Sequence, residues 1–520
     1  MSKASINITT DWRERGDVLN RQVDSNTLTK FLTGRYALRR TSKSSNAYVL
    51  AMDAKWGSGK TFFLTHWKTD LEASNYPVVY FDAWSNDFSD KPLLGFIAEV
   101  TTALHRQFGK APVAQQLIKR LQARIPGLLK ASGRMAVEIA LRKAIGYGVA
   151  EFNECFSAEK TRAPSGEDSE ADTRALAEQS VAALLDEHNT VRTAMKGFRD
   201  DLTELVERIN TLSSKQLPIF ILVDELDRCR PDYAIELLET IKHLFGVDGV
   251  YFVIGVNLPQ LSHSVRAVYG EQFDAERYLR RFFDQVYSLP EPALEPYTQH
   301  RLREEGLDDA FDLTQSALVD AFFVQNVHLD KVCATYFRYF RFALRDVDQV
   351  VAHAAAVVAT HRTLAVDFAF LMFLVSLYHF DRDDFNAVTS APTEIGKRLT
   401  QSGKINDIPL ELLHNRTLSV ADAGHAYLEC AALQHQELNR RFNQLNGRSP
   451  RSRLELCVLE RIQKNARYET YPRMVSACAA LLNLDKKKKK KPSEPHPRFG
   501  FSPPSRGQTF RLRPPTKTPA

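Results

Sequence analysis

Eight residues between an apolar run and a helical pattern have the types and spacing to hold a polyphosphate: Ala54-Lys55-Trp56-Gly57-Ser58-Gly59-Lys60-Thr61. Small residues let consecutive backbone N–H groups curl around a β-phosphate, and the helix that follows offers its positive end. Lys60 neutralises β- and γ-phosphate charge, and the Thr61 hydroxyl completes a magnesium shell. Ala54 stands where glycine is commoner, and a positive φ there would cost about 1 kcal/mol. A second segment, Ile219-Phe220-Ile221-Leu222-Val223-Asp224-Glu225, reads as a buried strand ending in two acids. That is the Walker B pattern. Asp224 is expected to hold magnesium through water, and Glu225 to orient and polarise the attacking water. The expected metal ligands are therefore Thr61 and Asp224, and the expected cofactors are ATP and Mg2+.

Three further polar residues are candidates. Asn257 follows the apolar run Tyr251–Val256, and an amide at that strand tip can contact a γ-phosphate or the attacking water. The plainer reading is an Asn that starts a turn, helped by Pro259. In Arg277-Tyr278-Leu279-Arg280-Arg281-Phe282-Phe283 a cation can reach a γ-phosphate in cis or in a neighbouring subunit, and Arg281 is the choice. Arg345, at the start of a later helix, is a further candidate for sensing nucleotide. HExxH and GxSxG motifs are missing, which removes zinc-protease and serine-hydrolase readings. NKxD is missing too, which favours ATP over GTP.

These residues need a scaffold. Apolar strands at Ala47–Met52, Tyr76–Phe81, Ile219–Val223 and Val250–Val256 alternate with helical patterns starting near Lys60, Pro92 and Pro231. That order predicts an α/β fold, a parallel sheet with helices on both faces. It divides the chain into a helical lead-in (1–46), a nucleotide-binding domain (47–295) with a helical insertion at about 106–212, a mainly α-helical C-terminal module (296–484) and a disordered basic, Pro-rich tail (485–520). The apolar stretch Leu364–Tyr378 reads as a buried core helix, too short and too interrupted to span a bilayer. Residues 106–155 carry Lys130, Arg134, Glu138 and Arg142 four apart, a polar stripe that predicts a packed or partner-facing helix rather than a membrane span.

The net charge of +6 belongs to the tail, which holds eleven Lys/Arg and two Asp/Glu from Asp485 onward and leaves the body at −3. A positive balance confined there does not make the folded part a nucleic-acid binder. The six cysteines (155, 229, 333, 430, 457 and 478) show no CxxC spacing. Each reads as a small buried hydrophobe rather than a zinc ligand or disulfide half. The N-terminus lacks the apolar core of a secretory signal, so a cytoplasmic location is expected.

Linked motifs resemble one family, the KAP P-loop NTPases. Lys55-Trp56-Gly57-Ser58-Gly59-Lys60-Thr61 resembles its W-G-S-G-K-[ST] loop, and Tyr80-Phe81-Asp82-Ala83-Trp84 its F-N-A-W segment. Asp224-Glu225-Leu226-Asp227-Arg228-Cys229 resembles its D-D-L-D-R-C block. Leu289-Pro290 is similar to its closing L-P, and Asp17-Val18-Leu19-Asn20-Arg21 to its entry segment. Asp82 stands for the usual Asn, Glu225 for a second Asp, and Asn257 for a commoner Asp. Many relatives carry transmembrane helices between the two Walker motifs, where this chain has charged helices, so the resemblance implies a soluble member of bacterial type. It also implies a nucleotide-driven switch in anti-phage defence, with partners among the products of neighbouring genes and a homo-oligomer as one option. A non-hydrolysing scaffold and a DNA-stimulated ATPase that uses the basic tail are the alternatives.

Overall fold

The computed structural model describes residues 11–39, 47–89, 91–108, 111–125, 193–209, 215–244, 246–307, 316–322, 329–361, 366–390, 408–411 and 417–482. The charged stripe at 130–142 and the basic tail lie outside them. Five parallel strands form one sheet: β1 (Tyr48–Asp53), β2 (Val78–Asp82), β3 (Ile219–Asp224), β4 (Val250–Val256) and β5 (Gln285–Ser288), in the order β2-β3-β4-β1-β5. β3 and β4 are buried at every residue, as strands covered on both faces must be.

The period of two in each strand sorts its side chains between two cores. Tyr48, Leu50, Met52, Phe220 and Leu222 face one side, where helices α1 (Gln22–Arg39) and α2 (Lys60–Ala73) pack through Leu28, Leu32, Phe63, Leu64 and Trp67. Val49, Ala51, Ile221, Val223, Phe252 and Ile254 face the other. That face is covered by α3 (Pro92–Phe108), α4 (Pro231–Leu244), α5 (Leu258–Tyr269) and the helical residues 112–125 and 193–209. Those two helical stretches are the described parts of the expected insertion.

β5 has no counterpart in the sequence reading. It has four residues, three of them exposed, so it carries neither an apolar run nor alternation. Pairing with β1 makes it a strand, and Asp284 prepares that pairing by accepting from the Val49 N–H at 2.9 Å while donating to the Val49 carbonyl at 2.8 Å. The Arg-rich segment before it begins as a helix. The helix spans Ala275–Leu279, so Arg280 and Arg281 lie beyond its end.

The remaining helices bury their own core, from Leu302 to Ala479. Two of them matter below, α6 (Leu344–Thr360) and α7 (Phe368–Phe380). α7 is buried from Phe368 through Tyr378, consistent with a core helix. Its N-cap, Asp367, is only 2% exposed and ties elements together. Its carboxylate accepts from Phe370 N and Ala317 N and from the Ser316 and Tyr468 hydroxyls. Among the described residues no helix is long and apolar enough to cross a membrane.

Candidate functional site

Parallel strands end on one edge of a sheet, and ligands of such sheets bind in the crevice there. β1 and β3 deliver the two sequence motifs to that edge, with β4 between them. Leaving β1, Ala54 donates its backbone N–H to the Val256 carbonyl at 3.0 Å. It is not among the residues with positive φ, so the methyl group strains nothing. The left-handed positions are Gly57 (φ 76°) and Gly59 (φ 91°), and Gly59 caps the N-terminus of α2. The Lys60 ammonium folds back on this loop, donating to the carbonyls of Ala54 (2.6 Å) and Lys55 (3.4 Å). Ser58 Oγ also donates to the Lys55 carbonyl, at 2.7 Å. Burial pushes the Lys60 ammonium below the ordinary lysine range, and Asp227 and then Asp224 act against it.

Asp224 is fully buried at the end of β3. Its carboxylate accepts from the Glu225 N–H (2.8 Å) and from the Tyr80 hydroxyl (3.0 Å), and the Thr61 hydroxyl lies near enough to favour its ionised form. Burial raises the Asp224 carboxyl above the usual range, and those hydrogen bonds work against it. Burial, with Asp224 next to it, also pushes the Tyr80 phenol up, so it stays a donor. Tyr80 was not singled out in the sequence. The signal was available in the register, since β2 pairs with β3 so that Asp82 lies opposite Asp224 and Tyr80 is two residues earlier.

Glu225 takes a left-handed backbone, φ 58°, and caps the short turn Leu226–Arg228. Its carboxylate pairs with the Arg228 guanidinium at 2.6 Å, and Arg228 stacks 5.5 Å from the Trp84 ring centre. The Trp56 indole N–H donates to Asp227, joining the phosphate loop to the acid block. Lys55 reaches out to Glu291 at 2.7 Å, with both side chains exposed.

A cavity of about 250 Å³ runs along this edge. One wall is the loop from Lys55 to Thr61 with Asp224, Glu225 and Asp227. A second is the entry segment Asp17–Arg21, anchored where Asp17 accepts from the Arg21 and Gln22 N–H groups, both at 2.9 Å, and where Arg21 donates to the Pro290 carbonyl at 2.8 Å. The third comes from the helical module: Tyr297, Leu344, Arg345 and Asp348. Tyr297 and Asp348 are bonded to each other at 2.7 Å. A Cβ built on Gly57 would lie 3.0 Å from Ala343 Cβ, so the start of α6 rests directly on the phosphate loop. This wall was not legible in the sequence apart from Arg345.

The structure brings Lys60, Thr61, Asp224, Glu225 and Arg345 to one cavity, and it puts two candidates elsewhere. Asn257 caps α5, its side chain accepting from the Gln260 N–H at 3.3 Å, and it does not line the cavity. Arg281 is exposed, and its carbonyl accepts from the Lys242 ammonium at 2.5 Å. It does not line the cavity either.

Parallel topology, a glycine loop between β1 and α2, and a buried acid at the end of β3 define a P-loop nucleotide-binding domain. The chain belongs to the KAP family, whose P-loop domain profile matches residues 35–337. The match begins after the entry segment and ends before Arg345. No curated protein matches the chain.

Proposed function

We propose that this chain is a magnesium-dependent ATPase in which nucleotide draws the helical module onto the sheet, a switch serving bacterial anti-phage defence. The observation that carries the reading is the shared cavity, with the phosphate loop and acid block on one side and the start of α6 on the other. A triphosphate at the N-terminus of α2 would take Lys60 from the loop carbonyls it now touches. The Thr61 hydroxyl and the Asp224 carboxylate, which line the same cavity, suit Mg2+, which keeps most of its waters and takes one or two protein oxygens beside phosphate. When bound, that ion would neutralise charge developing on the phosphates.

The Arg345 side chain makes no hydrogen bond or ion pair among the described residues, and it is exposed at the cavity edge. A γ-phosphate would give its guanidinium a partner and favour the closed arrangement of α6, which is how a nucleotide shifts a two-state element. Arg281 and Asn257 would need a neighbouring subunit or a rearrangement to act on the phosphate. The defence role rests on the family resemblance alone.

The test is phosphate release and ATP affinity of the purified chain. Lys60→Ala is expected to abolish both, and Arg345→Ala to weaken turnover by roughly tenfold or more at an unchanged melting temperature. Turnover unaffected by Lys60→Ala would sink the reading. For the defence role, plaque formation on cells expressing the chain should be restricted by the unsubstituted protein and not by Lys60→Ala.

A further inference from the structure

Asp227 has no part in the reading above. It sits three residues after Asp224, on the short turn Leu226–Arg228 that follows β3. It is 4% exposed and lines the phosphate-loop cavity. Oδ2 accepts from the Trp56 indole N–H, which pins the carboxylate from the phosphate-loop side. Oδ1 is buried and has no hydrogen-bond partner among the described residues. A carboxylate oxygen taken out of water and left unpaired is costly, so such an atom points to a donor that the ligand or its water supplies.

Two neighbours say where that donor comes from. Asp227 lines the same cavity as Lys60, whose ammonium serves the β- and γ-phosphates in a P-loop. Glu225, the acid placed beside Asp224 by sequence, is already committed, its carboxylate paired with Arg228 at 2.6 Å and its backbone left-handed. Of the two acids that follow Asp224, only Asp227 offers a buried oxygen with nothing bound to it.

We propose that Asp227 is a further catalytic residue, whose Oδ1 accepts a hydrogen bond from the water that attacks the γ-phosphorus, and that Trp56 is the positioning residue that aims it. This rests on the ATP-hydrolysis reading. In the step, the water oxygen bonds to the γ-phosphorus. The bond from that phosphorus to the bridging oxygen breaks, and its electron pair stays on the departing diphosphate. The water proton leaves along the hydrogen bond to Asp227 and ends on the released phosphate. The indole N–H holds the other carboxylate oxygen, so the acceptor does not rotate away from the line of attack.

The experiment compares Asp227→Asn, Trp56→Phe and Lys60→Ala in the full chain. It reads affinity by equilibrium binding of a fluorescent ATP analogue and kcat by phosphate release at saturating ATP. Asp227→Asn should lower kcat by roughly 100-fold with affinity within about threefold of the unsubstituted chain. Trp56→Phe should lower kcat by about tenfold, again with affinity preserved. If Asp227→Asn turns over normally while Lys60→Ala is dead, the proposal falls and the ATPase reading stands. If affinity falls as far as kcat, Asp227 balances the charge of Lys60 instead, which also overturns the proposal. If Asp227→Asn melts early, Trp56→Phe decides, and an unchanged kcat in that variant overturns it.

Discussion

Gly57→Ala tests whether the helical module really sits on the phosphate loop. The substitution has two separable costs. Gly57 has φ 76°, a region that an L side chain enters at about 1–2 kcal/mol. The new Cβ would also lie 3.0 Å from Ala343 Cβ, well inside the roughly 3.5–4.0 Å at which carbon atoms attract. Relief requires α6 to move at its N-terminus, and overpacking of this kind costs about 1–3 kcal/mol. The next contact, Arg345 Cβ at 3.6 Å, is ordinary, so Ala343 is the single obstacle. Gly57→Ala should therefore destabilise by about 2–5 kcal/mol in denaturant unfolding. Adding Ala343→Gly should return the contact part, about 1–3 kcal/mol, and leave the φ part. Ala343→Gly alone should be nearly neutral or slightly stabilising, because it occupies the N-cap of α6, where Gly is better than Ala. A coupling energy near zero in this double-mutant cycle, or a Gly57→Ala variant as stable as the parent, would refute the docked arrangement from which the switch is argued.

Two other expectations concern stability. Glu236, 7% exposed on α4, has its carboxyl pushed up to about 7 by burial, helped by Glu239 and Asp232. Its folded pKa is raised above the unfolded value, so the folded state carries the extra proton between about pH 4.5 and 7, and stability falls as pH rises across that window. Glu236→Gln should add on the order of 2 kcal/mol at pH 8 and little at pH 4, read from denaturation midpoints. A gain of equal size at both pH values would contradict this. Asp367→Ala should cost about 3–5 kcal/mol, because it strands the Ser316 and Tyr468 hydroxyls and the N–H groups of Ala317 and Phe370 inside the helical core. Calorimetry should show the loss, and a change below about 1 kcal/mol would mean that those donors find other partners.

Local chemistry was written in the chain. Lys60, Thr61, Asp224 and Glu225 are legible because a phosphate loop and an acid-tipped strand depend on short-range order: small residues for φ, an apolar run for burial, a helix start for its dipole. The alternation of strands and helices likewise followed from periodicity, and with it the parallel sheet. Boundaries moved by one or two residues where a strand end depends on its partner, as at β1 and β2. What composition could not carry was pairing and distance. β5 has no apolar pattern and exists because Val49 and Asp284 complete each other's backbone hydrogen bonds. Asn257 and Arg281 have suitable types near the right strand, yet one side chain is used as a helix cap and the other lies beyond a helix that ends at Leu279.

By itself, then, the sequence determined that a triphosphate-binding loop and a buried acid share one sheet edge. Only the tertiary structure decided what closes over them. Ala343 against Gly57, Tyr80 against Asp224 and Trp56 against Asp227 are contacts between residues 144 to 286 positions apart for the first two pairs and 171 for the third. No local pattern reports such contacts, because their free energy comes from packing and hydrogen bonding that appear only when distant elements meet.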